Sequence, residues 1–291
     1  MKSALIALLG RPSSGKSSIL NSLCGHKIAI VASSPQTTRN TVRGILTEER
    51  GQLVFLDTPG FHVSRKKINR HLRRLAESTV DESDSILYVV DSYRKIGEEE
   101  EALIRLVSES GKPAIIALNK TDLGTRRLEQ FGRIFSEKLP DASVYPVSAK
   151  TGFGMKDLKT GLYLAAPEGE LMYPEEYYTD QDPEFRISEI IREQVVTRTR
   201  EELPHAVYVE IQDTEFSQQG DSLWVRASIF VERESQKGII VGKGGELIKR
   251  VRVESEKALA ELFPYRVKLD LRVKTAPHWH RDDFLLRRLI H

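Results

Sequence analysis

The octapeptide Gly10-Arg11-Pro12-Ser13-Ser14-Gly15-Lys16-Ser17 fits the pattern G-x-x-x-x-G-K-[ST]. It follows an apolar run at 4–9 and precedes a segment of helical period, the setting that this pattern requires. Gly10 and Gly15 let successive peptide N–H groups turn inward on phosphate oxygens, and the start of the following helix adds its positive dipole. Lys16 then reaches the terminal phosphates, and the Ser17 hydroxyl can bind Mg²⁺. Arg11, Pro12, Ser13, Ser14 and Ser18 are counted with this nucleotide-binding loop.

Three more short motifs follow in chain order, each at the end of an apolar run. In Asp57-Thr58-Pro59-Gly60 the Asp57 carboxylate can hold the magnesium ion through its water shell, while the Gly60 N–H approaches a γ-phosphate. In Asn119-Lys120-Thr121-Asp122 the Asp122 carboxylate can accept hydrogen bonds from N1–H and the exocyclic amine of guanine, a pair that adenine does not offer. Ser148-Ala149-Lys150 can turn backbone N–H groups onto the guanine O6. Singly these are ordinary turns, but together and in this order they predict a site for GTP and GDP with Mg²⁺.

A second glycine turn, Gly242-Lys243-Gly244-Gly245, lacks the Ser/Thr that would touch magnesium and has no companion motifs. A Gly-x-x-Gly turn between helical segments is the mark of the KH module, which clamps the backbone of about four single-stranded nucleotides. Lys237, Lys249 and Arg250 flank it, and Trp279 with Arg281 in the tail could stack a base. Formal charge points the same way. The net is only +2, yet residues 181–236 hold 6 Lys/Arg against 12 Asp/Glu, while residues 237–291 hold 13 against 7.

Elements must carry these loops. The 291 residues sit near the upper limit for one core, so two domains are expected. Runs at 4–9, 53–57, 85–90, 114–119 and 143–147 alternate with helix-period segments at 98–109 and 126–138. This predicts an α/β P-loop domain over 1–165, a mostly parallel sheet with helices on both faces and ligands at the carboxyl ends of its strands. Residues 166–184 contain three prolines among acids without a clear period and read as a linker. Residues 185–291 then read as a smaller α+β unit of the KH type II order, with a basic tail. Ile187, Ile190, Ile191 and Val195 form one helical stripe, and Val267, Leu269, Leu271 and Val273 one strand face. A single cysteine, Cys24, excludes an internal disulfide and fits a reducing cytosol. No apolar run is long enough to span a bilayer.

The four amino-terminal motifs resemble the GTPase domain of translation-factor-type small G proteins. That resemblance implies that a threonine in the loop Ser33–Thr41 closes on Mg²⁺ when a γ-phosphate is present, with Thr38 as the first choice and Thr37 beside it. Lys16, Thr38 and Gly60 are the expected catalytic group, and Ser17, Thr38 and Asp57 the expected metal set. Signalling G proteins align the attacking water with a glutamine after D-x-x-G. Phe61 stands there, so unaided turnover is expected to be slow. Ser13 replaces an asparagine that can bind K⁺ in related GTPases, which puts potassium activation in question.

With a KH module behind it, nearly the whole chain resembles the Era family of bacterial ribosome-assembly GTPases, most specifically through QTTRNTVRGI, DTPGFH, SEIIREQ and GKGGELIKR. The resemblance implies binding near the 3′ end of 16S rRNA, a role in maturing the 30S subunit, and a cytoplasmic protein partly peripheral on the inner membrane. A monomer without stable DNA binding is expected. The alternative is the GTPase component of a tRNA-modification or membrane-surface signalling system.

Overall fold

A computed structural model of the chain describes residues 1–31, 40–61, 67–199 and 203–279. Two compact units divide essentially between Asp180 and Gln181.

In the first unit β1 (Lys2–Leu9), β3 (Gly51–Asp57), β4 (Ser85–Asp91), β5 (Ala114–Asn119) and β6 (Ser143–Pro146) run parallel, with β2 (Val42–Glu48) antiparallel at one edge. The order is β2-β3-β1-β4-β5-β6. Every residue of β3 and β4 is buried, as strands covered on both faces must be. Against one face pack α2 (Lys67–Glu82), α3 (Glu98–Ser110) and α4 (Leu128–Lys138), through Ala76, Val80, Leu103, Val107, Phe131 and Phe135. The remaining helices of this unit are α1 (Lys16–Cys24) and α5 (Met155–Ala165).

The apolar runs predicted the five parallel strands but not β2. Arg43 and Gly44 break its pattern, and the glycine is there for packing: a Cβ on Gly44 would lie 2.5 Å from Leu20 Cδ1 of α1. Only Glu49 and Arg50 separate β2 from β3, and so short a turn permits only an antiparallel pair.

The stretch read as a linker is largely bonded to this sheet. Ser3 N–H donates to Pro167 O, Ile45 N–H to Tyr178 O, and Arg43 pairs with Asp180 at 2.9 Å. Gln52, fully buried in β3, anchors it. Its Oε1 accepts from Met172 N at 2.8 Å and Tyr173 N at 2.9 Å, while its Nε2 donates to Tyr173 O at 2.9 Å. A strap therefore runs along the sheet edge, and the chain is released from it only near Asp180.

The first helix of the second unit is α6 (Pro183–Arg198). The Asp182 carboxylate caps it by accepting from Glu184 N and Phe185 N, and Pro183 occupies the first turn, where no N–H is needed. A one-turn helix α7 (Leu203–Ala206) leads to β7 (Tyr208–Phe216), β8 (Ser222–Val231), α8 (Glu234–Val241), α9 (Glu246–Ala260) and β9 (Arg266–Thr275). The sheet order is β7-β8-β9, with β8 parallel to β9. The predicted stripe of Ile187, Ile190, Ile191 and Val195 packs with Val225, Ile229, Val251, Leu259, Val267 and Leu269 in one core. A mostly parallel α/β unit followed by a smaller α+β unit is thus what the alternation predicted.

Replacing Gln52 by leucine would leave two peptide N–H groups of the strap facing the sheet without an acceptor. Urea unfolding of Gln52→Leu is expected to show a loss of about 1–3 kcal/mol. An unchanged midpoint would mean that the strap is not held by this side chain.

Candidate functional site: a phosphate loop with its base-reading loops, and a basic glycine turn

The loop 10–15 connects β1 to α1 at the carboxyl end of the sheet. Gly15, at φ 100°, caps α1, and a Cβ on it would lie 2.2 Å from Asn119 Nδ2, so any other residue would be strained there and would displace the Asn119 amide. Lys16 is 6% exposed, and its Nζ donates to Gly10 O at 3.3 Å and Arg11 O at 3.4 Å. Burial pushes its ammonium below the ordinary lysine range, and the nearby Asp57 carboxylate acts against that push. A buried cation held mainly by loop carbonyls is a strong place for an anion.

Asp57 ends β3 beside this lysine. Ser17 Oγ donates to Asp57 Oδ2 at 2.7 Å, which puts two hard oxygen donors side by side at the loop's mouth. Few protein ligands, with phosphate and water supplying the rest, is how Mg²⁺ is commonly held, so the pair fits that ion. Among the described residues no cluster of three or more His, Cys, Asp or Glu offers an alternative metal cage. The next turn closes on the loop: Phe61 N–H donates to Gly10 O at 3.1 Å, and a Cβ on Gly60 would stand 2.7 Å from Pro12 Cα. The Phe61 ring is buried, at 2% exposure. Thr37 and Thr38 lie outside the described residues.

The loops at 119–122 and 148–150 are bound to the loop 10–15 and to each other. Asn119 Nδ2 donates to Ser14 O at 2.9 Å, and Asn119 Oδ1 accepts from Ala149 N at 3.1 Å. Lys120, at φ 68°, donates from Nζ to Ser13 O at 2.6 Å and to Asp91 Oδ2 at 2.7 Å. Ser148 Oγ donates to Asp122 Oδ1 at 2.7 Å, which orients an otherwise exposed carboxylate. The structure therefore brings together Gly10–Ser18, Asp57, Gly60, Asn119, Lys120, Asp122 and Ser148–Lys150. Sequence reasoning missed Asp91 and also Arg94, whose Nη1 donates to Pro12 O at 3.0 Å.

In the second unit, α8 runs into the turn Gly242–Gly245 and α9 starts directly after it. Gly242, Gly244 and Gly245 have φ of 73°, 62° and 80°. The three positive φ angles turn the backbone sharply between the two helices. Lys243, Lys249 and Arg250 are exposed, while Lys237 pairs with Glu234 at 2.9 Å. Ile239, unremarked in the sequence, stands 53% exposed on α8, just ahead of the turn.

Trp279 corrects an expectation. It is 2% exposed, its Nε1 donates to Ala206 O at 3.0 Å, and its ring lies 4.9 Å from that of Tyr208. The indole is a core anchor, because its N–H finds a buried carbonyl, and it presents no face for a base. Arg281 lies outside the described residues.

Comparison with known proteins agrees with both halves. The family model described as 50S ribosome-binding GTPase matches residues 5–120, and the one described as KH domain matches residues 202–280. The chain is 42% identical to GTPase Era of Treponema denticola, with 99% of each chain covered. It is 45% identical to GTPase Era of Borreliella burgdorferi strain ZS7, with all of both covered. Among solved structures, an Aquifex aeolicus Era variant bound to GDP·AlF4⁻ matches with a TM-score of 0.95 at 30% identity, over 99% of both chains. A structure of Era in complex with MgGDPNP and nucleotides 1506–1542 of 16S ribosomal RNA matches with a TM-score of 0.94 at 30% identity, over 99% of this chain and 98% of that one. Phosphate loops of this kind occur in proteins of many sorts, but identity that extends through both units is far more selective, and by it the chain belongs to the Era family of GTPases.

Proposed function

We propose that this GTPase holds single-stranded RNA near the 3′ end of 16S rRNA while it carries GTP, and that it takes part in maturing the 30S subunit. The observation that carries the reading is the presence in one chain of a guanine-reading loop set and an exposed basic Gly-x-x-Gly turn. A relative that matches this chain over nearly its full length has been solved with MgGDPNP and a segment of 16S rRNA, which supports the choice of RNA.

For hydrolysis, the loop 10–15 and Lys16 bind and neutralise the phosphates, and the Gly60 N–H meets the γ-phosphate. Ser17 and Asp57, with Thr38 by resemblance, would hold Mg²⁺, which neutralises charge that develops on the phosphate oxygens. Asp122, oriented by Ser148, reads the guanine edge. Phe61 cannot polarise water, and its buried ring supports slow unaided turnover. Potassium has weaker support, since Ser13 offers one short hydroxyl where related GTPases have an amide.

On RNA, Gly242–Gly245 would approach the sugar-phosphate backbone, with Lys243, Lys249, Arg250 and Lys237 supplying charge and Ile239 an apolar surface for a base. Ordering of the Thr38 loop and of the segment after Gly60 by GTP would favour the RNA-holding state, and hydrolysis would release it. We place the protein in the cytoplasm as a monomer with peripheral contact to the inner membrane, a placement carried by the resemblance. No helix among the described residues is long and apolar enough to cross a membrane.

Two substitutions separate the activities. Lys16→Ala is expected to lower kcat for GTP by roughly a hundredfold or more. Gly244→Asp should keep hydrolysis and weaken RNA binding by about tenfold or more, since it sets a negative charge against phosphates. Nothing lies within 4 Å of a Cβ at this position, and aspartate tolerates the left-handed region, so the fold should survive. RNA binding unchanged in Gly244→Asp, measured by filter retention, would remove the proposed clamp. For base choice, Asp122→Asn exchanges an acceptor for a donor and should shift preference from guanine toward xanthine nucleotides. Retained GTP preference in a competition assay would mean that Asp122 does not read the base.

A further inference from the structure

A buried acid lies behind the phosphate loop, and none of the loop motifs contains it. Glu100, in the first turn of α3, is 1% exposed. Its Oε1 accepts from the hydroxyl of Tyr88, a fully buried residue of β4, and its Oε2 accepts from Arg11 Nη1 at 3.4 Å. Arg11 is gripped twice more, by Glu99 Oε2 at 3.2 Å from Nε and by Lys95 O at 3.0 Å from Nη1. The backbone of this same residue faces the nucleotide side, because Arg11 O accepts from Lys16 Nζ and from Ser14 N. Arg11 thus ties the first turn of the loop, with its lysine, to the corner between β4 and α3.

We infer that Glu100 is a positioning residue for the phosphate loop: held by Tyr88, it fixes Arg11 and thereby sets how tightly, and for how long, a guanine nucleotide is bound. The inference rests on the GTP-binding reading of this loop. Burying a carboxylate is costly unless it is paired, and here one oxygen meets a phenol and the other a guanidinium. Burial pushes the Glu100 carboxyl up from its ordinary value, and the Tyr88 hydrogen bond and the Arg11 charge act against that rise. The α3 dipole also favours an acid in its first turn. A residue there to stabilise the core alone would need no contact with the loop. The pairing instead directs this acid to a residue whose carbonyl receives the catalytic lysine.

The test compares wild type with Glu100→Gln and Arg11→Lys. GDP affinity and release would be followed with a fluorescent GDP, and thermal unfolding measured with and without GDP. Glu100→Gln keeps size and a partner for Tyr88 but removes the buried one of the two carboxylates that hold Arg11. It is expected to bind GDP about ten- to a hundredfold more weakly, with most of the change in the release rate, as for a lost charge-assisted hydrogen bond. The rise in unfolding temperature at a fixed GDP concentration should shrink accordingly. A purely structural role would lower the unfolding temperature with and without GDP alike, leaving release unchanged, and that result would overturn the proposal. Should Glu100→Gln not fold, Arg11→Lys decides, since it keeps the charge but not the forked contact with Glu99, Glu100 and Lys95. Faster GDP release in it supports the proposal, and wild-type release overturns it. Failure of the wild-type chain to bind GDP would instead remove the functional reading on which the inference stands.

Discussion

Peptide N–H groups can close on a phosphate only where the backbone is free to turn toward it and no side chain intervenes. Both units of this chain meet that constraint with glycine, in different ways. At Gly15 space and conformation act together, because φ is 100° and a Cβ would strike the Asn119 amide that ties the phosphate loop to the loop 119–122. At Gly244 the space is open and conformation decides, with φ at 62° between two helices. The first arrangement makes a rigid, enclosed loop suited to one small ligand. The second leaves an exposed turn suited to a long chain passing across it.

Around the first loop the balance of buried charge explains why the site sits where it does. Lys16, Asp57, Asp91 and Glu100 are all nearly inaccessible, and each has an oppositely charged or hydrogen-bonding partner within the same cluster. The fully covered strands β3 and β4 deliver Asp57 and Asp91 at their carboxyl ends, so the sheet that builds the core also places the charges. Lys16 is bonded to loop carbonyls, weaker partners than phosphate oxygens would be.

Much of this was legible in the residues. Apolar runs closed by short motifs located the five parallel strands and the four loops of the nucleotide site, because in a parallel sheet strand ends and ligand positions coincide. What escaped depended on partners far away in the chain. Strand β2 hides behind Arg43 and Gly44, and only the α1 leucine shows why a glycine belongs there. The proline-rich strap looked like a tether because its partner is the side chain of Gln52, about 120 residues earlier. The helical period of 98–109 does not show that Tyr88 and Arg11 enclose Glu100. Trp279 beside arginines suits a base-stacking ring or a core anchor equally well, and the Ala206 carbonyl decides for the anchor.

The central claim is that two separate glycine turns hold two different phosphates, one on a nucleotide and one on RNA. Amide hydrogen exchange tests it most directly, first with GDP and then with a single-stranded fragment from the 3′ end of 16S rRNA added to the complex with a non-hydrolysable GTP analogue, compared with that complex alone. The account predicts that GDP slows exchange in residues 10–17 and 119–122, and that RNA slows it in residues 239–250. RNA protection that falls elsewhere, or that coincides with the GDP footprint and leaves residues 239–250 unchanged, would contradict it.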